Sequence, residues 1–308
     1  MKKESKIYVA GHRGLVGSSI VRKLKSDGYT NLHYMNRSIL DLRIQKDVKE
    51  YFEYLKPEYV FLAAAKVGGI NYNKQYPADF ILDNLQIQNN IIDASYKTNI
   101  TKLMFLGSAC IYPRDCQQPI KEEYLMTGPL EPTNEGYALA KIAGLKMAKM
   151  YSDQYGMNAI SVMPANVYGV NDNFDINNSH VIPAMIRKFS DAKLYNTDHI
   201  TLFGDGSSRR EFLYVDDLAD VCVKLMNEYD DPNHINVGSD VDYSIKELAE
   251  IVKNIIGYKG DIIWDTSKPN GTPRRKLDVS RMLDFGWQPR VSLEQGLHKT
   301  VRWYDSIV

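Results

Sequence analysis

Tyr137 and Lys141 stand four positions apart in a stretch, 135–155, whose apolar spacing is helical. Residues at i and i+4 share a helix face, so a phenol and an ammonium can meet over one substrate. A neighbouring cation favours phenolate, and is expected to draw the tyrosine pKa below its reference of about 10. The pair then suits proton transfer to or from a carbonyl near neutral pH. Ser108 follows an apolar run, 102–107, that reads as a strand. Ligands of open α/β sheets bind beyond the carboxyl ends of the strands, so Ser108 is placed to hydrogen-bond the carbonyl that Tyr137 protonates. Tyr-x-x-x-Lys by itself also decorates solvated helix faces. Combined with Ser108 and a glycine-rich turn near the N-terminus, it points to nicotinamide-dependent oxidoreduction.

That turn is Gly11-His12-Arg13-Gly14-Leu15-Val16-Gly17, set between a first strand (6–10) and a first helix (15–24). Glycines here permit a tight turn and the close approach of backbone N–H groups to a pyrophosphate, which the helix dipole also favours. His12 is expected to be structural within the loop. Sites for NAD usually carry a carboxylate at the end of the second strand, on the ribose. Here that strand ends in Met35-Asn36-Arg37, with no acid. Arg13 and Arg37 are placed to meet a 2′-phosphate, and together they favour NADP(H). Asp41 and Leu42 suit the adenine edge, and Ala63, Ala64 and Ala65 are small enough to let a cofactor lie across them.

Stepping along the chain, strand-like runs at 32–35, 58–65, 102–107 and 159–163 alternate with helical stretches at 77–99 and 135–155. Strands apolar on both faces predict a parallel sheet covered by helices on each side. The fold class is therefore α/β: a Rossmann-like doubly wound sheet over 1–164, with a smaller C-terminal α/β substrate lobe over 165–308. Segments such as 210–238 are expected to return to the first domain, so that the two interleave. In the second part, 171–179 and 268–275 (with Pro269, Gly271 and Pro273) read as loops, 200–203 as a strand, and 180–190, 214–229 and 244–256 as helices.

Bulk properties bound the function. The 308 residues carry 38 Lys and Arg against 38 Asp and Glu, and this zero balance argues against a nucleic-acid partner. No run is long and apolar enough for a bilayer, and no signal-peptide core precedes the first strand. Three cysteines make no disulfide framework, so a cytoplasmic setting is expected. Cys116 and Cys222 are read as packing residues, and no metal is expected.

The chain resembles the extended short-chain dehydrogenase/reductase family. The strings Ala63-Ala64-Ala65-Lys66-Val67-Gly68-Gly69-Ile70, Glu131-Pro132-Thr133-Asn134-Glu135, Asn178-Ser179-His180-Val181-Ile182-Pro183-Ala184, and Arg210-Glu211-Phe212 with Val215-Asp216-Asp217 are similar to its GDP-L-fucose synthase branch. That resemblance covers nearly the whole chain in order. It implies a GDP-4-keto-6-deoxy-D-mannose substrate, inversion at C3 and C5, then reduction at C4 by NADPH. Ser108, Tyr137 and Lys141 would serve the reduction; Cys110 as thiolate base and His180 as acid would serve the epimerisation. Thiolate is favoured beside positive groups, and histidine holds or gives a proton near neutrality. Pro164, Asn166 and Val167, with Lys141 and His180, would also touch the cofactor. Lys188, Phe203, Arg210 and Asn270 would hold the nucleotide sugar, with the two cations on its diphosphate. Ala109, Phe203 and Asn270 depart from the Ser or Thr, Trp and Asp common in that branch. The resemblance also implies a homodimer, built from the helices beginning at Pro77 and Glu135 as a four-helix contact.

Three rivals stay open at this point: a sister epimerase-reductase acting on a GDP-4-keto-dideoxyhexose (colitose type) or heptose; a nucleotide-sugar 4-epimerase with tightly held NAD, against which the missing acid speaks; and a non-catalytic NADP sensor, which would commonly lack the Tyr or the Lys kept here.

Overall fold

The computed structural model describes residues 1–175, 178–268 and 270–308. Pro269 and residues 176–177, all in segments read as loops, lie outside the described residues. Along the first half run β1 (Ile7–Ala10), α1 (Leu15–Ser26), β2 (Leu32–His33), α2 (Gln45–Leu55), β3 (Tyr59–Leu62), α3 (Ile70–Gln75), α4 (Pro77–Lys97), β4 (Lys102–Leu106), α5 (Glu135–Tyr155) and β5 (Ala159–Pro164). Then follow β6 (Asn166–Tyr168), α6 (Val181–Leu194), β7 (His199–Phe203), β8 (Arg209–Tyr214), α7 (Val215–Glu228) and β9 (Ile235–Val237). The chain closes with β10 (Asp242–Ser244), α8 (Ile245–Ile256), β11 (Asp261–Asp265), β12 (Arg274–Arg275), α9 (Ser280–Asp284) and α10 (Leu293–Asp305).

The main sheet has the order β2-β1-β3-β4-β5-β9, and every pairing in it is parallel. Each residue of β1, β4 and β5 is buried, as expected for strands covered on both faces. The strand order reverses between β1 and β3. That is the switch point of a doubly wound sheet, where a crevice opens beyond the carboxyl ends. The turn after β1 and Ala63–Ala65 after β3 therefore share one rim.

A second sheet holds β10-β8-β12, with β6 also on β8, and β7 pairs separately with β11. It has its own apolar core, centred on Ile186, Phe189, Tyr214, Leu248 and Leu297. Within 210–238, β9 joins the main sheet and α7 packs on α1, whereas β8 belongs to the second sheet. Glu211 links the parts: it is 1% exposed, and its two carboxylate oxygens accept the backbone N–H groups of Asp240 and Leu277, both at 2.8 Å.

Several expected boundaries move. The second strand stops at His33 rather than position 35, and α6 continues to Leu194 rather than 190. The 268–275 loop contains β12, because Arg274 and Arg275 pair with Arg209 and Arg210 across the sheet, a contact no local pattern announces. The helix α3 forms just ahead of α4, and Pro77 at the first turn of α4 separates the two.

Candidate active site

The glycine turn is closed by contact as much as by torsion. Gly11 has φ +86°, and a Cβ there would lie 2.7 Å from the Ala64 backbone nitrogen. A Cβ on Gly17 would sit 2.1 Å from the Gly11 carbonyl oxygen, so α1 can approach the turn only with glycine at this position. No side chain caps α1, and its first turn holds no acid. The N–H groups of its first turn thus have no side-chain partner from a cap, and the glycines hold α1 against the turn, an arrangement that suits a pyrophosphate. His12 stacks on Tyr34 with ring centroids 4.6 Å apart, pinning the turn to the segment after β2. Arg13 and Arg37 are both exposed beside it.

Asp41 is committed elsewhere. Arg43 donates to it from Nε and Nη2 at 3.0 and 2.7 Å, and holds its carboxyl down to about 2. Arg43 also reaches Asp83 at 3.0 Å. Arg43 so offsets the charge of the carboxylate 3.6 Å from Arg37 Nε, which lessens the opposing charge beside a 2′-phosphate. Sequence reasoning passed over Arg43, although its place two positions from Asp41 was a signal.

Beyond β4 the chain enters a short 3-10 turn, Ala109–Ile111, with Ser108 at its N-cap accepting the Cys110 N–H at 3.4 Å. A Cβ on Gly107 would strike Met163 at 2.3 Å, so this bend lies tight against β5. The Ser108 hydroxyl and Cys110 lie close enough to Tyr137 to shift it, and Cys110 also shifts Lys141. Lys141 is 4% exposed; its Nζ donates to the Leu106 carbonyl at 2.7 Å and lies 5.8 Å from the Tyr137 ring centroid. The structure thus brings together Ser108, Cys110, Tyr137 and Lys141.

Their ionisation departs from what the spacing alone suggests. Burial pushes the Tyr137 phenol up rather than down; nearby Cys110 adds to this and the Ser108 hydroxyl offsets part. Burial brings the Lys141 ammonium down to about 8, against a smaller opposing effect of Cys110. Burial also raises the Cys110 thiol, although Ser108, Arg275 and Lys141 pull the other way. In each case the cost of placing charge in a packed site exceeds the gain from neighbours. His180 caps α6 without a side-chain cap bond; it keeps an accessible edge, while desolvation of the ring holds its pKa below the usual value. The loop before it is fixed to the Gly68–Gly69 bend: the Gly69 N–H donates to the Asn178 carbonyl at 2.9 Å, and a Cβ on Gly69 would lie 2.6 Å from the Ser179 oxygen.

The four residues expected at the nucleotide sugar fall in two groups. Lys188 has its ammonium 5.2 Å from the Phe203 ring centroid and donates to Thr201. Arg210 donates to the Thr272 carbonyl at 2.6 Å, and burial brings it down to about 10. Asn270 uses its side-chain oxygen to accept the Asp205 N–H at 2.8 Å, so it shapes the 204–208 turn. Asn166, beyond β5, donates to the Glu211 carbonyl; Pro164 is buried and Val167 partly so. Cys222 is fully buried and Cys116 partly, as packing residues are. A separate cleft of about 340 Å³, lined by Lys46, Lys49, Asp93 and Lys97 among others, holds none of these groups.

Over residues 7–238 the chain matches the NAD dependent epimerase/dehydratase family. It belongs to that family. Within it, the chain is 54% identical to GDP-L-fucose synthase 1 of Arabidopsis thaliana over 98% of this chain and 94% of the relative. It is 39% identical to GDP-L-colitose synthase of Yersinia pseudotuberculosis, over 97% of each. Among solved structures, the GDP-mannoheptose C4 reductase of Campylobacter jejuni, with NADP bound, superposes with a TM-score of 0.92 at 40% identity, covering 99% of both chains. The glycine cradle and the Ser108–Tyr137–Lys141 cluster of this epimerase/dehydratase member thus lie on the fold that carries NADP in that neighbour.

Proposed function

We propose that the chain converts GDP-4-keto-6-deoxy-D-mannose to GDP-L-fucose, by inversion at C3 and C5 and NADPH-dependent reduction at C4. The observation that carries this reading is the clustering of a proton-transfer thiol, Cys110, with the carbonyl-directed group Ser108–Tyr137–Lys141. A plain C4 reductase needs only the second set. The 54% identity to a GDP-L-fucose synthase supports the substrate.

Gly11, Gly14, Gly17 and the start of α1 would hold the pyrophosphate, with Arg13 and Arg37 on the 2′-phosphate. When bound, NADPH supplies the hydride for C4. Ser108 orients the C4 oxygen and Tyr137 gives it a proton; a phenol whose pKa is raised stays protonated at neutral pH, the form a donor needs. Lys141 holds the end of β4 and places positive charge beside the phenol as it becomes phenolate. The C4 carbonyl acidifies the protons on C3 and C5. Cys110 removes each, and His180 returns one from the opposite face. Lys188 and Arg210 neutralise the diphosphate, and Phe203 packs on the ligand. The division into a cofactor domain over 1–164 and a substrate lobe over 165–308, with 210–238 shared, is part of the same reading.

We further infer a homodimer through α4 and α5. These helices pack closely, since Gly144 leaves room for Gln88, whose Nε2 donates to Ala140 at 2.6 Å. Leu82 of α4 and Leu139 and Met150 of α5 are exposed. Leu139 and Met150 are eleven positions apart, three helical turns, and so share a face.

The colitose and heptose relatives keep a sister reading alive. A panel of GDP-4-keto sugars, followed by NADPH oxidation and product NMR, separates them. Preferred turnover of the 6-deoxy-mannose compound to a product inverted at C3 and C5 supports the proposal; reduction without inversion, or preference for a dideoxyhexose or heptose, overturns it.

A further inference from the structure

The loop that carries Cys110 is held from the other side of the cleft. Arg275, on β12, donates from Nη1 to the Ala109 carbonyl at 2.8 Å, and from Nη2 to Pro113 at 3.3 Å and Tyr112 at 3.5 Å. These contacts flank Cys110 on both sides in sequence and join segments more than 160 positions apart. A guanidinium is suited to this, since its planar fork offers several fixed donors to several carbonyls at once.

Position and charge coincide. The charged or titratable groups that face the thiol are Tyr137 and Lys141 from α5 and Arg275 from β12, with the Ser108 hydroxyl on its own loop. Lys141 is brought down to about 8, so it sheds charge as pH rises, whereas an arginine stays protonated throughout. Arg275 is the cation that reaches the thiol from the second sheet. The same short strand touches the nucleotide-sugar residues: Arg275 pairs across the sheet with Arg210, which donates to Thr272. Tyr112 has an anchor of its own, through its hydroxyl to Asn236 at 2.5 Å, so loss of Arg275 frees the 109–111 turn more than the whole loop.

We propose that Arg275 is a positioning residue for the epimerisation half of the reaction: it fixes the turn around Cys110 and supplies the lasting positive charge beside its thiolate. The inference rests on Cys110 being the base at C3 and C5. In that step the C–H bond breaks and an S–H bond forms. The C–H electron pair becomes the new carbon–carbon double bond to C4, and the carbonyl π pair moves onto the C4 oxygen. His180 then protonates the carbon from the other face, and both groups reset by exchange with solvent.

The test uses the full chain with NADPH and the variants Arg275→Gln and Arg275→Lys. Alkylation of Cys110 by iodoacetamide is followed against pH by peptide mass spectrometry, without substrate. Arg275→Gln should move its midpoint up by about one unit, as expected for losing a cation within a few ångströms, and Arg275→Lys should move it little. In D₂O, deuterium entry at C3 and C5 should fall about tenfold to a hundredfold in both variants, because one compact ammonium cannot reproduce the geometry in which two nitrogens of a planar fork hold carbonyls on either side of Cys110. Reduction of substrate already inverted at both centres should fall several-fold less than exchange does, since Tyr137 and Lys141 stand on α5 and only Ser108 borders the freed turn. Unchanged alkylation and exchange, or equal loss of exchange and reduction, overturns the proposal. If Arg275→Gln does not fold, Arg275→Lys decides it by the split between exchange and reduction. Should Cys110→Ala exchange normally, the base assignment fails, while the alkylation midpoint still reports what Arg275 does to the thiol.

Discussion

Single side chains in this site are governed by a contest between burial and neighbouring charge. Burial wins at Tyr137, Cys110 and His180, and that outcome has a consequence for pH dependence. Inversion at C3 and C5 requires Cys110 as thiolate and His180 as imidazolium. Burial moves the thiol above its ordinary value and the imidazole below its own, so the two titrate in reverse order. Between the two pKa values thiolate rises as imidazolium falls, and their product stays constant. Below the histidine value further acid only removes thiolate; above the cysteine value further base only removes imidazolium. Inversion rates should therefore be near flat from below pH 6.5 to above pH 9.0, the ordinary values of the two groups, with any step falling at about pH 8, where Lys141 beside the thiol loses its charge. A narrow optimum inside that window would show that the two groups do not act as this pair. The grouping of Ser108, Tyr137 and Lys141 was legible from residue type and spacing, because one helix and one strand end suffice to place them. The direction of the pKa shifts was not, since it depends on desolvation by elements distant in sequence. Arg275 was invisible for the same reason: nothing local says that a residue of β12 reaches the Ala109 carbonyl.

Elements carry the cofactor preference. The turn after β1 and the segment after β2 are brought side by side by the His12–Tyr34 stack, and they present Arg13 and Arg37 together. Replacing both arginines by alanine should weaken NADPH binding by about tenfold or more, one or two charge-assisted contacts' worth, while NADH binding changes little. Isothermal titration with both cofactors checks this, and equal losses would remove the arginines from the 2′-phosphate. Strands β1, β3, β4 and β5 were readable because parallel strands buried on both faces leave unbroken apolar runs. Short partly exposed strands such as β10 and β12 were not, because their identity comes from pairing with β8 rather than from their own pattern.

At the scale of the whole molecule, two apolar cores are joined by Glu211 and by the Arg275 clamp, and the groups of the proposed chemistry are drawn from both parts. Leu82 on α4 and Leu139 and Met150 on α5 are exposed, and α4 and α5 pack on each other. If two copies pair there, Leu139→Glu with Met150→Glu should convert the dimer to a folded monomer by sedimentation, because a charge without a partner is costly to bury. A monomeric parent protein would refute the pairing.

The central claim is that one cleft holds two separable kinds of chemistry, proton transfer at C3 and C5 and reduction at C4. It is tested by running GDP-4-keto-6-deoxy-D-mannose with NADPH in D₂O, following deuterium at both carbons by NMR and NADPH by absorbance. Tyr137→Phe should keep exchanging both positions while NADPH oxidation falls by about 10²–10⁴-fold, the usual contribution of a general acid. Cys110→Ala should lose most exchange at both carbons. If Cys110→Ala instead yields the fully inverted and reduced sugar at the normal rate, Cys110 is only a loop residue and the epimerase-reductase assignment of this cleft is wrong.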